Sequence, residues 1–424
     1  MIRGSVTTTT PPVSGPRPPA GAAVLEAART GGTRPAPQTR SHAGRLAVIA
    51  SVMSLVSSLV LLLLVRVFLP PHESLWTALM GWDASWYRDI ALRGYSWNPH
   101  STAPQNPAFL PLYPLFERAV HVVTGLSIES IAISSSILFQ AGAAALLVWI
   151  ARGWGATDRG ALLWVALFLV SPPAVFDIMG YYSALFCVLC FLALLFAQRR
   201  RPWLVALAVG LASGMNPLGI AFAGGFVVWS LIELVSSKSV TWRSLLVLGG
   251  QALASLSGIL GYALFLLARF GDPLAFYQAT KAWSPSASAP EVLTRIVTFE
   301  PVRSSFTQWA AVPYGWNTSF LIDGVAALAI LALVATLVAT SGGVRTFAFW
   351  LLVFAFLLVQ VQSARWGSEI GTTRFLLPVA FGVGAVAPVR RLLTRPGVFA
   401  VTLLVLLVGT AVFLQHLVTG QWID

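Results

Sequence analysis

The stretch GWDASWYRDIALRGY, residues 81–95, is the densest cluster of polar and aromatic side chains in a strongly apolar sequence. Between Ala84 and Arg93 the apolar residues recur at helical spacing and the charged residues point away from them. This pattern predicts a short amphipathic helix at a membrane surface. Asp83 and Gly94 flank that helix, so they are predicted as its N-cap and C-cap. Asp83 has a second interpretation, compatible with the first, as a catalytic carboxylate held at the face of the bilayer.

The composition excludes an ordinary soluble domain. Hydrophobic residues make up 57% of the 424 positions and charged residues 10%, with a mean hydropathy of +0.78. Many runs reach the length of about 18 apolar residues that spans the hydrocarbon of a bilayer. The sequence therefore predicts an all-α polytopic membrane protein with about 11 transmembrane helices. The predicted spans are residues 46–69, 128–151, 161–176, 180–198, 202–214, 218–234, 245–268, 320–340, 347–362, 375–387 and 398–417.

The remaining segments define the predicted domains. Residues 1–42 are rich in Pro, Thr, Ala, Gly and Arg, which predicts a disordered cytoplasmic tail, and residues 43–424 are predicted to form a single transmembrane domain. The first apolar run is too long for a signal peptide and is predicted to be retained. Two long loops, residues 70–127 and 269–319, separate the spans. We expect a ligand cavity where they meet. The first loop contains PQNPAFLPLYP, residues 104–114, whose prolines predict a rigid turn rather than a helix.

The distribution of charge predicts the orientation. A cytoplasmic amino terminus places about 17 of the 27 Lys and Arg residues, but only about 3 of the 15 acids, on the cytoplasmic side. The net charge of +12 is thus explained by topology, and nucleic-acid binding is not indicated. Both long loops are predicted to face outward. The strong preference for arginine over lysine is typical of a GC-rich bacterial genome, so we expect a bacterial plasma membrane.

Polar residues predicted to face outward form a candidate site. Carboxylates accept protons from hydroxyl groups, arginine binds phosphate, and aromatic rings stack on sugars. For any single tryptophan, however, the interfacial aromatic belt is the simpler explanation. The charged members of this cluster are Asp83, Asp89, Asp272, Glu291, Glu300, Glu369, Arg365 and Arg374.

Residues 81–95, together with AFLPLYP at 108–114, resemble the first outward loop of the PIG-V-like mannosyltransferases, a family of GT-C membrane glycosyltransferases. The resemblance continues through GDPLAF at 271–276 followed by Trp283, through TRFLLP at 373–378, and through GQW at 420–422. It implies a GT-C-like helical bundle. It also implies inverting transfer of mannose from a polyprenyl-phosphate-mannose donor to a lipid or protein glycan acceptor on the extracytoplasmic face.

The resemblance also implies roles for single residues. Asp83 would be the general base on the acceptor hydroxyl, and Arg374, with Arg365 as second choice, would stabilise the departing phosphate. No cofactor is implied apart from the lipid-linked co-substrate. The spacing of potential ligands demands no metal, although it does not exclude a divalent ion. Further candidates for substrate binding are Trp82, Trp86, Tyr87, Asp89, Tyr113, Asp272 and Trp283.

Three positions depart from the family pattern. Ser183 stands where a glutamate is expected, no arginine accompanies Met215, and Thr280 replaces a glutamine. These departures indicate either a different substrate or a weak or inactive relative. Asp177 is a candidate to supply the missing carboxylate, and a solvated position at the interface is an equal alternative.

Structural interpretations remain open for other residues. Asp89 is spaced to pair with Arg93, and Asp272 before Pro273 is also typical of a turn. Packing roles are predicted for Cys187 and Cys190, and for the close helix contact of Gly210 and Gly214. Two other functions stay in view, a transporter of lipid-linked sugars and a non-catalytic membrane partner. A transporter is expected to carry ionisable residues deep in several spans.

Overall fold

The regular structure of the chain is helical. The computed structural model describes residues 37–238, 240–283, 287–312, 316–340, 342–368 and 371–420, and within them no strand is present. In chain order the first helices are α1 (Pro37–Phe68), α2 (Leu75–Leu79), α3 (Asp83–Arg93), α4 (Leu112–Thr124), α5 (Ile128–Gly153), α6 (Asp158–Leu169), α7 (Ser183–Gln198), α8 (Pro202–Ser213), α9 (Pro217–Ser236) and α10 (Trp242–Ser255). They are followed by α11 (Ser257–Phe270), α12 (Ala275–Thr280), α13 (Ala289–Val297), α14 (Glu300–Ala311), α15 (Trp316–Val338), α16 (Val344–Trp366), α17 (Leu377–Val386), α18 (Val389–Leu393) and α19 (Pro396–Val418).

Six helices, α1, α5, α9, α15, α16 and α19, are long and apolar enough to cross a membrane. The number rises to eight if each of two bent pairs forms one span. These are α6 with the 3-10 segment Pro172–Ile178, bent by 73°, and α10 with α11, bent by 62°. The chain is therefore an all-α polytopic membrane protein, as predicted. The predicted number of about 11 spans includes three apolar segments, α7, α8 and Thr372–Val386, that are only 10–17 residues long.

The main compact unit comprises Ala43–Asp424. Helix α1 begins at Pro37, so residues 37–42 of the predicted disordered tail are helical. Residues 1–36 of that tail lie outside the described residues.

Gly210 of α8 and Gly214, its C-cap, pack closely against the junction of α10 and α11. A Cβ atom on Gly210 would lie 2.2 Å from the carbonyl oxygen of Ala254, and one on Gly258 would lie 2.3 Å from the backbone nitrogen of Gly214. Only glycine allows the two backbones to approach this closely, so the predicted close helix contact is confirmed.

A buried polar network connects α1, α5 and the segment Pro172–Ile178. The side-chain oxygen of Gln140 accepts hydrogen bonds from Ser54 at 3.2 Å and Ser58 at 2.8 Å. Its amide nitrogen donates to the carboxylate of Asp177 at 3.2 Å. Asp177 is therefore buried rather than solvated at an interface, and the side chain that it binds, Gln140, belongs to this structural network.

The proline-rich stretch of the first loop forms a turn and then a helix. A 3-10 turn covers Asn106–Ala108, and α4 begins at Leu112, inside the segment predicted to be non-helical. Pro111 is the N-cap of α4 and Pro114 lies in its first turn. Proline is tolerated there because the N–H groups of the first helical turn have no partner within the helix. The prediction was correct for the turn and wrong for the last three residues.

Candidate active site

Helix α3 carries Asp83 at its first position. The N-cap is Trp82, which has φ 49° and ψ −122° and makes no side-chain capping bond, so the prediction that Asp83 is the N-cap was wrong by one residue. Gly94 is the C-cap, as predicted, with φ 81° and its N–H donating to the carbonyl of Ile90. A positive φ at tryptophan is strained, and strain of this kind is concentrated at functional sites. Because the carboxylate of Asp83 does not cap the helix, it can take another partner.

That partner is Arg374, in the π-helical turn Thr372–Leu376 that leads into α17. Its Nη2 atom lies 2.5 Å from Oδ2 of Asp83, although the two residues are 291 positions apart in the sequence. The arginine side chain is 4% exposed and the aspartate side chain 21% exposed. The fold therefore joins the predicted base and the predicted phosphate-binding residue in one partly accessible ion pair.

Three aromatic rings surround the guanidinium group. Its Cζ atom lies 4.6 Å from the ring centre of Tyr181 and 4.9 Å from those of Phe176 and Phe375. The hydroxyl of Tyr181 also accepts a hydrogen bond from the backbone N–H of Asp83, at 3.1 Å. Cation–π contacts and the ion pair together stabilise a buried positive charge. The Nε–H group of Arg374 is buried and has no hydrogen-bond partner among the described residues, so one donor remains available.

Asp323, which the sequence reasoning missed, fixes the turn before Arg374. Its carboxylate is fully buried in α15 and accepts hydrogen bonds from the backbone N–H groups of Gly371 at 3.1 Å and Thr373 at 2.5 Å. An acid inside an apolar span is itself a signal of a special role, and that signal could have identified this residue.

Tyr87 lies at the centre of the aromatic side chains beneath α3. Its ring packs edge-to-face against Tyr113 and Phe109 at 5.4 Å, and against Tyr182 at 5.8 Å. The buried face of α3 consists of Ala84, Tyr87, Ile90 and Ala91, which confirms the predicted amphipathic pattern. Burial raises the pKa of Tyr87, so this phenol stays neutral and acts through packing.

A second aromatic cluster joins the two long loops. Trp86 stacks on Phe109 with ring centres 5.4 Å apart, and Trp283 meets both rings edge-on at 5.7 Å. Trp86 lies one helical turn after Asp83, so the cluster is close to the ion pair along α3. Trp283 of the second loop is thus brought to the first loop.

Other predicted charged residues have local partners. Asp89 pairs with Arg93 at 3.0 Å, as their spacing predicted. Asp272 accepts hydrogen bonds from the backbone of Leu274 at 2.8 Å and from the side chain of Gln278 at 2.6 Å, which is the turn interpretation. Glu291 and Glu300 both lie near Arg295, at 2.6 and 3.4 Å. Among the described contacts, none joins Arg365 to Asp83. Glu369, Gln421 and Trp422 lie outside the described residues.

Two of the three departures from the family pattern, Ser183 and the segment that includes Asn216, border Arg374. Ser183, Asn216, Arg374 and Phe375 line a small cavity, and the side-chain amide of Asn216 donates to the hydroxyl of Tyr182. Asp177 is absent from the described lining of this cavity. The hydroxyl of Thr280 donates to the carbonyl of Tyr277 within α12.

A larger apolar cavity of about 510 Å³ lies beside the second half of α3. Its walls come from α3, the start of α4, α8 and α11, and Arg118 is the charged residue among them. The prediction placed a cavity between the two long loops. This cavity is bordered by the first loop, α8 and α11, and its described lining includes no residue of the second loop.

No metal site accompanies these residues. The described part of the chain contains no group of three or more His, Cys, Asp and Glu side chains that could hold an ion. The acids near the site are instead held by Arg374, by Gln140 or by backbone N–H groups.

Comparison with known proteins gives a partial match. No family model matches the chain. GPI alpha-1,6-mannosyltransferase 2 of Mus musculus is 30% identical to it over 205 residues. The match covers 46% of this chain and 40% of the mouse protein, so less than half of that relative is represented. The similarity supports a relationship to a mannosyltransferase-like family.

Proposed function

We propose that this chain is an inverting mannosyltransferase of the GT-C type, which moves mannose from a polyprenyl-phosphate carrier to a lipid or protein glycan acceptor. The observation that carries the proposal is the ion pair between Asp83 and Arg374. It unites a carboxylate and a guanidinium group from distant parts of the sequence. The partial similarity to a mannosyltransferase gives independent support.

The pair has the chemistry that such a transfer needs. The hydroxyl oxygen of the acceptor attacks the anomeric carbon of mannose, forming the new glycosidic bond, while Asp83 takes the hydroxyl proton. The bond from the anomeric carbon to the carrier phosphate breaks on the opposite side, and the phosphate leaves with the electron pair. Arg374 stabilises the negative charge that develops there. Its contact with Asp83 orients the carboxylate before substrate binds.

Arg374 retains hydrogen-bonding capacity for this role. A guanidinium group has five N–H donors in a fixed fork, and the Nε–H of Arg374 has no partner among the described residues. The same side chain lines the small cavity with Ser183 and Asn216. The cavity has a volume of only about 10 Å³, so we place the leaving phosphate outside it, beside the ion pair of Arg374 and Asp83. Ser183 and Asn216 line the cavity behind Arg374, which fits a donor site altered from the family pattern.

The apolar cavity beside α3 supports a lipid-borne donor. It has a volume of about 510 Å³, and Ile90 in its wall lies on the same helix as Asp83. We assign it to the isoprenoid chain of the carrier. Transfer of an apolar chain into such a space from water or from the headgroup region lowers the free energy. The arrangement of positive charges in the sequence supports an active site on the outer face of a bacterial plasma membrane, with the amino terminus in the cytoplasm.

Transport of lipid-linked sugars is less well supported. A transporter is expected to have ionisable side chains that can change partners within the spans. Asp177 and Asp323 are the described acids buried at such positions, and each binds donors fixed in the fold.

The test is transfer by the purified full-length protein in lipid vesicles. Polyprenyl-phosphate-linked radiolabelled mannose would be supplied with glycolipid and glycoprotein fractions from cells that lack the gene. Asp83→Asn keeps an oxygen for Arg374 but removes the base, so we expect the rate to fall by about 10²–10⁴-fold. Asp89→Asn is the matched control, since Asp89 lies on the same helix in a surface ion pair. Movement of labelled lipid across the vesicle without a new glycosidic bond would contradict the proposal and indicate transport.

A further inference from the structure

Helix α4 has an unusual distribution of side chains. Its exposed residues include Leu115, Val122 and Val123, whereas Glu117 is fully buried. A helix in water has the opposite arrangement. Apolar residues on the exposed face fit a helix that contacts lipid, and the carboxyl group on the inner face then needs an explanation of its own.

Glu117 is buried without a positively charged partner among the described residues. Neither of its carboxyl oxygens has a hydrogen bond within the described residues, and no described lysine or arginine forms an ion pair with it. An ionised carboxylate in that position is strongly disfavoured, whereas a neutral carboxylic acid is not. Burial, with a smaller contribution from nearby Glu129, raises the pKa of Glu117 to about 8, although the hydroxyl of Tyr113 acts in the opposite direction. Glu129 itself pairs with Arg88.

Tyr113 is the polar group nearest to Glu117 along the inner face of α4. It lies four residues earlier, one helical turn away, and is also fully buried. Its hydroxyl has no described hydrogen-bond partner, and its pKa is raised by burial and then by the charge of Glu117. Ser135 and Ser136 of α5 are the neighbouring hydroxyl groups. The hydroxyl of Tyr113 can donate to either form of the acid, but only the neutral acid avoids an uncompensated charge at this buried position.

Two chains of contact lead from this pair to the candidate active site. The ring of Tyr113 packs edge-to-face on Tyr87, which lies one turn after Asp83 on α3. In addition, the hydroxyl of Ser136 donates to the carbonyl of Tyr181 at 3.0 Å, and the hydroxyl of Tyr181 accepts from the N–H of Asp83 at 3.1 Å. A change at Glu117 therefore reaches Asp83 through packed groups.

We infer that Glu117 is a positioning residue, a buried neutral acid that holds Tyr113 against Tyr87 and so fixes the helix that carries Asp83. Loss of its proton leaves a negative charge with no described cation beside it beneath that helix, and the accommodation of this charge displaces Tyr113. The kinetic test of this inference rests on the proposed transferase function. The protonation of buried Glu117 does not depend on that function.

The kinetic test compares the pH dependence of transfer in the wild type and in Glu117→Gln. Glutamine keeps the shape and the hydrogen bonds of the neutral acid, so we expect a rate at pH 6.5 within about threefold of wild type. At pH 9 about one wild-type molecule in ten retains the proton, so its rate should fall about tenfold from the plateau, while the variant keeps its rate. Glu73→Gln is the control, an exposed glutamate in the same loop, and should follow the wild-type profile.

A second measurement needs no transfer. At pH 6.5 the infrared spectrum of the full-length protein should contain the carbonyl band of a protonated carboxylic acid that Glu117→Gln lacks.

The free energy of unfolding should depend on the same proton of Glu117. The pKa of Glu117 is about 8 in the fold against an ordinary value of 4.5. The stabilisation is therefore complete below pH 4.5 and is lost as the pH rises to 8. Over that window the melting temperature of the wild type should decrease relative to that of Glu117→Gln.

Three outcomes would overturn the inference. The infrared band could be missing at pH 6.5, the variant could show the alkaline fall of the wild type, or it could lose activity equally at every pH. If the wild type and both variants show no transfer while the infrared band is present, the proposed function is refuted, but the conclusion that Glu117 is a buried neutral acid is not.

Discussion

Asp83 and Asp272 belong to the two long loops and each lies in a sequence motif, yet the fold uses them differently. Asp272 binds the backbone of Leu274 and the side chain of Gln278, so its partners lie within six positions. Asp83 binds Arg374, 291 positions away. One contact shapes a local turn, and the other requires the whole helical bundle to form.

The difference separates a structural role from a functional one. Any chain that forms the turn after α11 can provide the Asp272 contacts, and exposed hydrogen bonds of this kind contribute little. Arg374 has to be removed from water to reach Asp83, which opposes folding unless the pair is well arranged. Residues held in such an arrangement beside an exposed carboxylate and a cavity are candidates for chemistry. The comparison therefore predicts large effects at the Asp83 pair and small ones at Asp272.

After that of Asp83→Asn, the largest effect is expected from Arg374→Lys. Lysine keeps the charge but offers a single point of contact, so it cannot bind Asp83 and a phosphate with the geometry of the guanidinium fork. We expect the turnover number to fall by about 10²–10³-fold. The measurement is transfer of mannose from the polyprenyl-phosphate donor in vesicles. Arg93→Lys is the matched control, because Arg93 is an exposed partner of Asp89. Full activity in Arg374→Lys would show that only the charge is needed.

An intermediate effect is expected from a substitution that fills the apolar cavity beside α3. Gly261 lines the apolar cavity, and a Cβ atom there would meet no other atom within 4 Å, so Gly261→Phe enters open space. If the isoprenoid chain lies there, the KM for a long-chain donor should rise about tenfold, with the turnover number unchanged, because uniform binding is lost. A donor with a short prenyl chain should be unaffected.

Gly249→Phe is the control for that experiment. Gly249 also has open space around its Cβ position but lies on α10, outside the described lining of the cavity. The cavity borders the loop of Asp83 and is lined by no described residue of the loop of Asp272. An equal rise in KM for both variants would place the carrier elsewhere and weaken the contrast between the two loops.

Apolar runs were sufficient to predict the helical class, since a span needs only length and hydropathy. Features that depend on local geometry were less accessible. The N-cap of α3 was misplaced by one residue because Trp82 takes a positive φ that the residue type does not suggest. The start of α4 was missed because proline in a first turn is compatible with a helix.

The site was predictable in its composition but not in its connections. Motifs identified Asp83 and Arg374, whereas their contact depends on the packing of α3 against the turn before α17. Asp323 and Glu117 escaped notice for a related reason. Each is a single acid in an apolar or amphipathic stretch, and its importance comes from what surrounds it in space. Residue type and spacing along a helix do not contain that information.

The smallest effect is expected at Asp272. Asp272→Asn retains an oxygen that can accept from the N–H of Leu274, so transfer should stay within about twofold of wild type. Asp272→Ala removes the contact and should lower stability by about 1 kcal/mol, as the loss of a capping residue does, again with little change in turnover. Transfer assays and thermal unfolding in detergent separate these effects. A loss on Asp272→Asn comparable to that of Asp83→Asn would mean that a carboxylate with purely local contacts also handles substrate. The sequence separation between an aspartate and its partner would then no longer distinguish Asp83 from Asp272.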